Sequence, residues 1–254
     1  MLKLIYGLLV FVLLVIWLPW LWRYQLRPYF ARNDLDKALL SHPEGKRLSR
    51  IVSILTTLYR GFNAGRLSQR ERARLRLKDD AYVYGEINFQ SFILLLDLVK
   101  LQAGEVFYDL GSGAGKAVFA AAFCQDLSKA CGVELLPGLC NLANAQMTKA
   151  KALVSLGDKP CTEVFLRRLA AIQFVNDNFL NTDISDGTVI FINATCLSYP
   201  TWEALLLKLQ GLQPGSRVIV TTKKIQHEQF EVLYQGRELM SWGMNSVNVY
   251  KKIS

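Results

Sequence analysis

Histidine is scarce in this chain, and its cysteines lack the spacing of a metal site. Among 254 residues only His42 and His227 occur, and neither has a second plausible metal ligand near it in the sequence. The cysteines are odd in number and never form a Cys-x-x-Cys pair: Cys124, Cys131, Cys140, Cys161 and Cys196. A zinc or iron site needs clustered imidazole and thiolate ligands, so we predict no metal. Free thiols in a reducing compartment are the simplest interpretation of these cysteines.

Internal repeats and low-complexity tracts are also absent from the sequence. The length and the 51% hydrophobic content are those of one α/β domain with a well-filled core and an N-terminal extension. The formal net charge of +9 indicates affinity for an acidic surface. Charge alone leaves anionic lipid, nucleic acid and acidic protein open as that surface.

The N-terminal run Leu4–Trp22 has no charged residue and consists almost entirely of Leu, Val, Ile, Phe and Trp. At about 1.5 Å per residue, a helix of this length matches a hydrocarbon core of roughly 30 Å. No small-x-small cleavage site follows, which favours a retained anchor over a cleaved signal peptide. We therefore predict a transmembrane anchor over residues 1–24. The basic residues Arg23, Arg27 and Arg32 follow it and predict a single-pass membrane protein with its catalytic domain in the cytoplasm.

Residues 25–80 predict a basic helical juxtamembrane segment. Helical periodicity around Leu35–Leu40 and again over Leu48–Tyr59 is interrupted by His42-Pro43-Glu44-Gly45. A further helix is predicted by arginines that lie on more than one of its faces: Arg66, Arg70, Arg72, Arg74 and Arg76. Two interpretations stay open for it, a solvated helix and attachment to anionic lipid. Nucleic-acid binding is not expected, because aromatic residues are not interleaved with the basic ones.

From residue 81 to 254, apolar runs of strand length alternate with helical segments, which predicts an α/β domain with a mostly parallel sheet. The predicted strands are Val106–Leu110, Ala130–Val133, Ile172–Asn176, Val189–Asn193, Arg217–Thr222, Glu231–Leu239 and Met244–Lys252. The predicted helices are Lys116–Phe123, Pro137–Leu156 and Thr201–Leu209. The last two strands are typical of an antiparallel hairpin, so we expect seven strands with the last one reversed.

A glycine-rich turn follows the first buried strand and indicates a cofactor site. The sequence Gly111-Ser112-Gly113-Ala114-Gly115 leads directly into a helix of small residues, where a ligand can approach the backbone. Its spacing differs from the Gly-x-Gly-x-x-Gly of dinucleotide sites, because Lys116 stands at the sixth position. Asp109 just before the turn suits a cationic ligand, and S-adenosylmethionine carries an ammonium and a sulfonium. Glu134, at the end of the second strand, is placed to accept hydrogen bonds from the ribose hydroxyls.

Several motifs together resemble the disruptor-of-telomeric-silencing (DOT) type of histone lysine methyltransferase. They are Tyr84-Gly85-Glu86, Asp109-Leu110-Gly111-Ser112-Gly113, Gly132-Val133-Glu134, Asn178-Phe179-Leu180 and Val189-Ile190-Phe191-Ile192-Asn193. The resemblance covers roughly residues 80–225, and it implies a Rossmann-like class I methyltransferase with S-adenosylmethionine as cofactor. With its predicted membrane span, the chain is also similar to the membrane-anchored enzymes that methylate a lysine of the ATP synthase c subunit.

This resemblance implies roles for individual residues. Tyr84 and Glu86 would belong to a loop that closes over the methionine part of the cofactor. Asp109 and Gly111 would hold its amino acid moiety and Glu134 its ribose, while Asn178 and Phe179 would bracket adenine; Gly113 is a further predicted cofactor-binding residue. Asn193 would face the transferring methyl group, and with Tyr84 it is a predicted catalytic residue. The sequence departs from the family at Ile87, where the family has Thr, and at Asp177-Asn178-Phe179, where it has Gly-Asp-Phe.

The predicted acceptor is a lysine of a protein in or near the membrane, because anchoring raises the effective concentration of membrane-bound targets. Such a lysine must lose its proton, which burial among aromatic side chains favours. Tyr84, Phe179, Tyr199 and Trp202 are candidates to line that channel, although core packing is an equal interpretation and the favoured one for Trp202. Two other functions stay open: methylation of a lipid or quinone, and a catalytically silent cofactor-binding module. The oligomeric state is not predicted.

Overall fold

The computed structural model describes residues 11, 13–22, 27–76, 85–156, 159–241 and 243–254. Its centre is a seven-stranded sheet in the order β3-β2-β1-β4-β5-β7-β6. The strands are β1 (Val106–Leu110), β2 (Lys129–Glu134), β3 (Ile172–Asn176), β4 (Val189–Ile192), β5 (Arg217–Thr221), β6 (Phe230–Met240) and β7 (Gly243–Lys252). Strands β1 to β5 run parallel, whereas β7 is antiparallel to both β5 and β6. The predicted sheet with a reversed last strand and a terminal hairpin is confirmed.

Helices cover both faces of this sheet. In chain order they are α1 (Leu18–Leu21), α2 (Arg27–Ser41), α3 (Gly45–Leu58), α4 (Ala64–Arg74), α5 (Phe89–Leu98), α6 (Lys116–Cys124), α7 (Pro137–Val154), α8 (Lys159–Ala170) and α9 (Tyr199–Gln210). The apolar run of β4 is buried along its whole length, as expected for a parallel strand covered on both faces. One core lies between the sheet and α3, α5, α6, α7 and α8, and the other lies between the sheet and α9.

The helices that precede the sheet contribute to the larger core. Helix α3 buries Leu48, Ile51, Leu55 and Leu58, which recur at helical spacing on one face. The interruption predicted at residues 42–45 separates α2 from α3, although Gly45 already belongs to α3. The domain boundary predicted between residues 80 and 81 falls within 77–84, which lies outside the described residues.

The predicted location as a single-pass membrane protein is wrong, and the predicted anchor and membrane partner are not supported. Part of the predicted span, residues 4–10 and 12, lies outside the described residues. Across the described part of the chain, no helix is both long enough and apolar enough to cross a membrane. A span needs about 20 helical residues, whereas Leu13–Trp17 forms a five-residue π-helix and Leu18–Leu21 a four-residue α-helix.

Candidate active site

The turn after β1 brings a strand end and a helix N-terminus together through left-handed glycines. Gly111, Gly113 and Gly115 have φ values of 87°, 55° and 83°, a region that side chains with a Cβ rarely adopt. At Gly115 a Cβ would also lie 2.5 Å from the ring of Phe174. The sequence folds into this narrow turn because glycine meets both the conformational and the steric demand.

Asp109 is the acidic residue that the sequence places before this turn, and the structure buries it. Its side chain is 3% exposed, and Oδ1 has no hydrogen-bond partner within the described part of the chain. Loss of water raises the pKa of this carboxyl well above its usual range, and the nearby Glu134 raises it further. A buried acceptor left without a donor is costly, and a cationic group of a ligand would satisfy it. The residues present therefore fit the ammonium of S-adenosylmethionine.

Glu134 ends β2 and is held by two backbone donors. Its Oε2 accepts a hydrogen bond from Gly113 N–H at 2.7 Å, and Oε1 accepts one from Leu136 N–H at 2.8 Å. Burial raises the pKa of this carboxyl, and the two backbone donors oppose that effect. Each carboxylate oxygen has two acceptor directions, so Glu134 keeps acceptor capacity toward the cleft. The carboxylate also ties the glycine turn to the segment that enters α7.

Asn193 directly follows β4, and its amide orientation is fixed on both sides. Its Nδ2 donates to Gly85 O at 3.2 Å, and its Oδ1 accepts from the hydroxyls of Thr195 and Thr221 at 2.9 and 2.8 Å. The opposite orientation would place Oδ1 against the carbonyl oxygen of Gly85, which cannot donate. Asn193 thus links the end of the central sheet to the segment that contains Glu86.

These strand ends surround one cleft, which encloses about 880 Å³ of empty space when its solvent-open part is counted. Its lining includes residues from both predicted ends of the site: Gly85, Gly111, Glu134, Asn178, Phe179 and Asn193. An adjoining smaller pocket is lined by Glu86, Asp109, Gly113 and Lys116. Every predicted site residue that the structure describes therefore lines one of two neighbouring pockets. Tyr84 lies outside the described residues.

The predicted adenine end differs in detail from a simple side-chain clamp. Asn178 uses its Oδ1 locally, because it accepts a hydrogen bond from Leu180 N–H at 3.0 Å. Asp177 accepts from Asn178 N–H at 2.7 Å and shapes the same turn. Phe179 lines the cleft and also packs against the smaller core. Of the other aromatic candidates, Trp202 is buried in that core as expected, whereas Tyr199 is 71% exposed.

Two further polar side chains near the glycine turn were missed by the sequence reasoning. Lys116 forms an ion pair with Glu86, and its ammonium lies 5.2 Å from the ring centre of Tyr59 and 5.5 Å from that of Phe89. Tyr59, on the segment before the sheet, donates its hydroxyl proton to Ala114 O at 2.7 Å. A positive charge in the first turn of a helix is disfavoured by the helix dipole. Lys116 at the start of α6 could therefore have been recognised from the sequence as a candidate site residue.

A strand-end acid beside a glycine turn, a second acid on the next strand and this sheet order define a class I methyltransferase. The chain matches the family described as "Histone methylation protein DOT1" over residues 77–250, and it belongs to that family. The predicted DOT-type, S-adenosylmethionine-dependent methyltransferase class is thereby confirmed. S-adenosylmethionine is its cofactor.

Individual relatives agree with the family. The chain is 31% identical over 159 residues to a "Histone-lysine N-methyltransferase, H3 lysine-79 specific" of Caenorhabditis elegans, covering 60% of this chain and 16% of that protein. It is 29% identical over 126 residues to a "Protein-lysine N-methyltransferase" of Saccharolobus islandicus, covering 49% of this chain and 66% of that protein. A solved RNA methyltransferase from Salinibacter ruber, bound to S-adenosyl-L-homocysteine, aligns over 64% of this chain and 90% of that one, with 19% identity and a TM-score of 0.45.

Proposed function

We propose that this protein is an S-adenosylmethionine-dependent protein-lysine N-methyltransferase, and that residues 81–254 form its methyltransferase domain. One observation carries the proposal: Asp109, Glu134 and Asn193, from three neighbouring strands, converge on the cleft beside the glycine turn. Open α/β sheets bind their ligands at this edge. Family membership supports the reaction type. The chain spans 16% of the C. elegans relative, so the acceptor is inferred and not transferred from it.

Each end of the cofactor has a chemically suitable partner in the two pockets. Asp109 and Glu86 supply negative charge for the ammonium, and Lys116 supplies positive charge for the carboxylate. In this arrangement the Glu86–Lys116 ion pair opens. Glu86 then contacts the cofactor ammonium in place of the Lys116 ammonium, and Lys116 contacts the cofactor carboxylate in place of the Glu86 carboxylate. Glu134 accepts from the ribose hydroxyls, and Asn178 and Phe179 flank adenine. Tyr84 is proposed to close this end of the site, as the family resemblance implies.

S-adenosylmethionine supplies an electrophilic methyl group on its sulfonium. When bound, it would give this methyl group to a neutral acceptor amine and leave as S-adenosylhomocysteine, so the acceptor lysine must first lose its proton. The protein has to exclude water, favour the neutral amine and align the two reactants. Asn193 cannot act as a base. With its Oδ1 held by two hydroxyl groups, we assign it the alignment of the segment 85–87 beside the reacting centre.

A lysine of a protein is the favoured acceptor because the relatives in this family that carry a substrate name are protein-lysine enzymes. Histone H3 is therefore the first defined acceptor to test. An extract of total protein is the necessary second one, since the acceptor of this chain need not be that of its relatives.

The proposal is tested by incubating the 254-residue protein with isotopically labelled S-adenosylmethionine and either histone H3 or an extract of cells lacking the protein. We expect label in protein, mapped by mass spectrometry to lysine. An Asp109→Ala variant that keeps the circular dichroism spectrum of the parent serves as control and should transfer no label. Label found only in small molecules would replace the proposal by a lipid or quinone methyltransferase. Cofactor binding without any transfer would indicate a catalytically silent module.

A further inference from the structure

Helix α4 presents two different faces, and one of them reaches the cofactor cleft. Arg66, Arg70 and Arg74 are exposed, whereas Ser68 is fully buried and Glu71 is 9% exposed. Ser68 lines the same cleft as Glu134, Asn178 and Phe179. Ser68, which is 66 residues before Glu134 in the sequence, thus forms part of the wall at the nucleoside end.

Glu71 makes a specific contact at this wall. Its Oε2 accepts a hydrogen bond from Gly138 N–H at 2.6 Å, in the first turn of α7. A Cβ at position 138 would lie 2.6 Å from Cδ of Glu71 and 2.7 to 2.8 Å from its two oxygens. Glycine at 138 therefore makes room for the Glu71 carboxylate, and the two residues form one packed unit.

The first backbone donors of α7 can be accounted for completely. Leu136 N–H donates to Glu134, Pro137 has no N–H, and Leu139 N–H donates to Leu136 O at 3.1 Å. Gly138 N–H donates to Glu71. Glu134 and Glu71 thus accept hydrogen bonds from two N–H groups that are two residues apart in the same turn, those of Leu136 and Gly138. A shift of this turn would move the donor that fixes the Glu134 carboxylate.

We propose that Glu71 is a positioning residue of the cofactor site, which acts through the first turn of α7 on the orientation of Glu134. Helix α4 is then an integral wall of the nucleoside pocket. This inference rests on the proposed role of Glu134 at the ribose. Glu71 also forms an ion pair with Arg74 at 3.3 Å, but this pair contributes little because the Arg74 side chain is 67% exposed.

The test is the affinity of the full-length chain for S-adenosylhomocysteine, measured by isothermal titration calorimetry without any acceptor. Glu71→Ala should weaken binding about tenfold, because it removes the acceptor for Gly138 N–H. Glu71→Gln keeps an oxygen acceptor at the same length and should stay within about threefold of the parent. Arg74→Gln removes only the ion pair and should leave the affinity unchanged. If Glu71→Ala does not fold, Glu71→Asp can replace it. The shorter side chain moves the carboxylate away from Gly138 N–H without removing it, and it should also weaken binding.

A double-mutant cycle separates positioning from general destabilisation. If Glu71 acts through Glu134, then Glu71→Ala should cost little affinity in a Glu134→Ala background. Full additivity of the two losses would overturn the inference, and so would parental affinity of a folded Glu71→Ala or Glu71→Asp variant. Parental affinity of Glu134→Ala alone would instead remove the ribose role of Glu134 from the proposed function. Because no methyl transfer is measured, an incorrect acceptor cannot mimic either result.

Discussion

The carboxyl group of Asp109, near the end of β1, is buried away from water. This burial has opposite consequences for the stability of the fold and for cofactor binding. Its raised pKa means that the folded protein loses stability as pH rises from the unfolded value, about 4, through the folded one. We expect Asp109→Asn to raise the unfolding temperature at neutral pH by roughly 3 °C. The same change should weaken S-adenosylhomocysteine binding by roughly tenfold to a hundredfold, because the ammonium loses its charged partner. Thermal unfolding and calorimetry test the two effects. An unfolding temperature at or below that of the parent would contradict this account of Asp109.

The same carboxyl predicts that cofactor binding releases protons. The pKa of Asp109 is raised in the free protein, mainly by loss of water and then by Glu134. A bound ammonium favours the ionised form and lowers that pKa, so binding must expel a proton wherever the free carboxyl is protonated. The apparent binding enthalpy should therefore vary with the ionisation enthalpy of the buffer, and affinity should rise with pH through the pKa of the free protein. Asp109→Asn is the control in which this buffer dependence should disappear.

At the scale of secondary-structure elements, the β6–β7 hairpin holds the segment that carries Glu86. Ser241 N–H donates to Glu86 O at 3.0 Å, Glu86 N–H donates to Ser241 Oγ at 3.2 Å, and Ile87 forms a β-bridge with Met240. Ser241→Ala removes one of these contacts, worth about 1 kcal/mol. We expect about fivefold weaker S-adenosylhomocysteine binding.

A matched control for Ser241→Ala is available directly after the C-terminal end of α7. Ser155→Ala removes a hydroxyl that donates to Lys151 O at 2.8 Å at the other end of that helix, so it deletes one comparable bond away from the cleft. Its affinity for S-adenosylhomocysteine should equal that of the parent. Equal losses in the two variants would mean that Ser241 acts only through overall stability.

The elements that the sequence predicted well are those whose burial is continuous. Strands β1 and β4 are buried along almost their whole length, and their predicted ends agree with the structure within one residue. Helix α8 was not predicted, because among its residues 162–170 only Phe165 and Leu169 are buried and they give a weak helical pattern. Its place is also fixed by tertiary contacts, such as the ion pair of Arg168 with Asp126. Such contacts have no local sequence signal.

The residues of the candidate site also fall into those that could be predicted from the sequence and those that could not. Asp109, Glu134 and Asn193 could be predicted because parallel strands end at one edge, so strand ends in sequence become neighbours in space. Tyr59 and Glu71 could not, since their roles depend on how helices before the sheet pack against turns that follow 55 and 67 residues later. The hydropathy of the first 24 residues predicted a span, whereas the described residues of that run form a five-residue π-helix and a four-residue α-helix.

At the scale of the whole molecule, the net charge of +9 is partly displayed on the outer face of α4, whose inner face lines the cleft. Arginines beside a binding cleft attract an acidic partner and repel a basic one. We therefore expect an acceptor lysine that lies on an acidic protein surface to be methylated faster than one on a free, strongly basic histone. The preferred acceptor of this chain would then differ from histone H3, the substrate named for its relatives.

The variant Arg66→Gln/Arg70→Gln tests this electrostatic contribution, since both side chains are exposed and neither lines the cleft. At low ionic strength we expect a several-fold higher KM for an acidic protein acceptor, an unchanged kcat and unchanged S-adenosylhomocysteine affinity. Salt on the order of 0.5 M should abolish the difference from the parent, because it screens exposed charges beyond about 4 Å. A KM that is unchanged at low salt, or one that differs equally at high salt, would exclude the arginine face as an attractor. The acceptor preference would then have to come from the shape of the cleft.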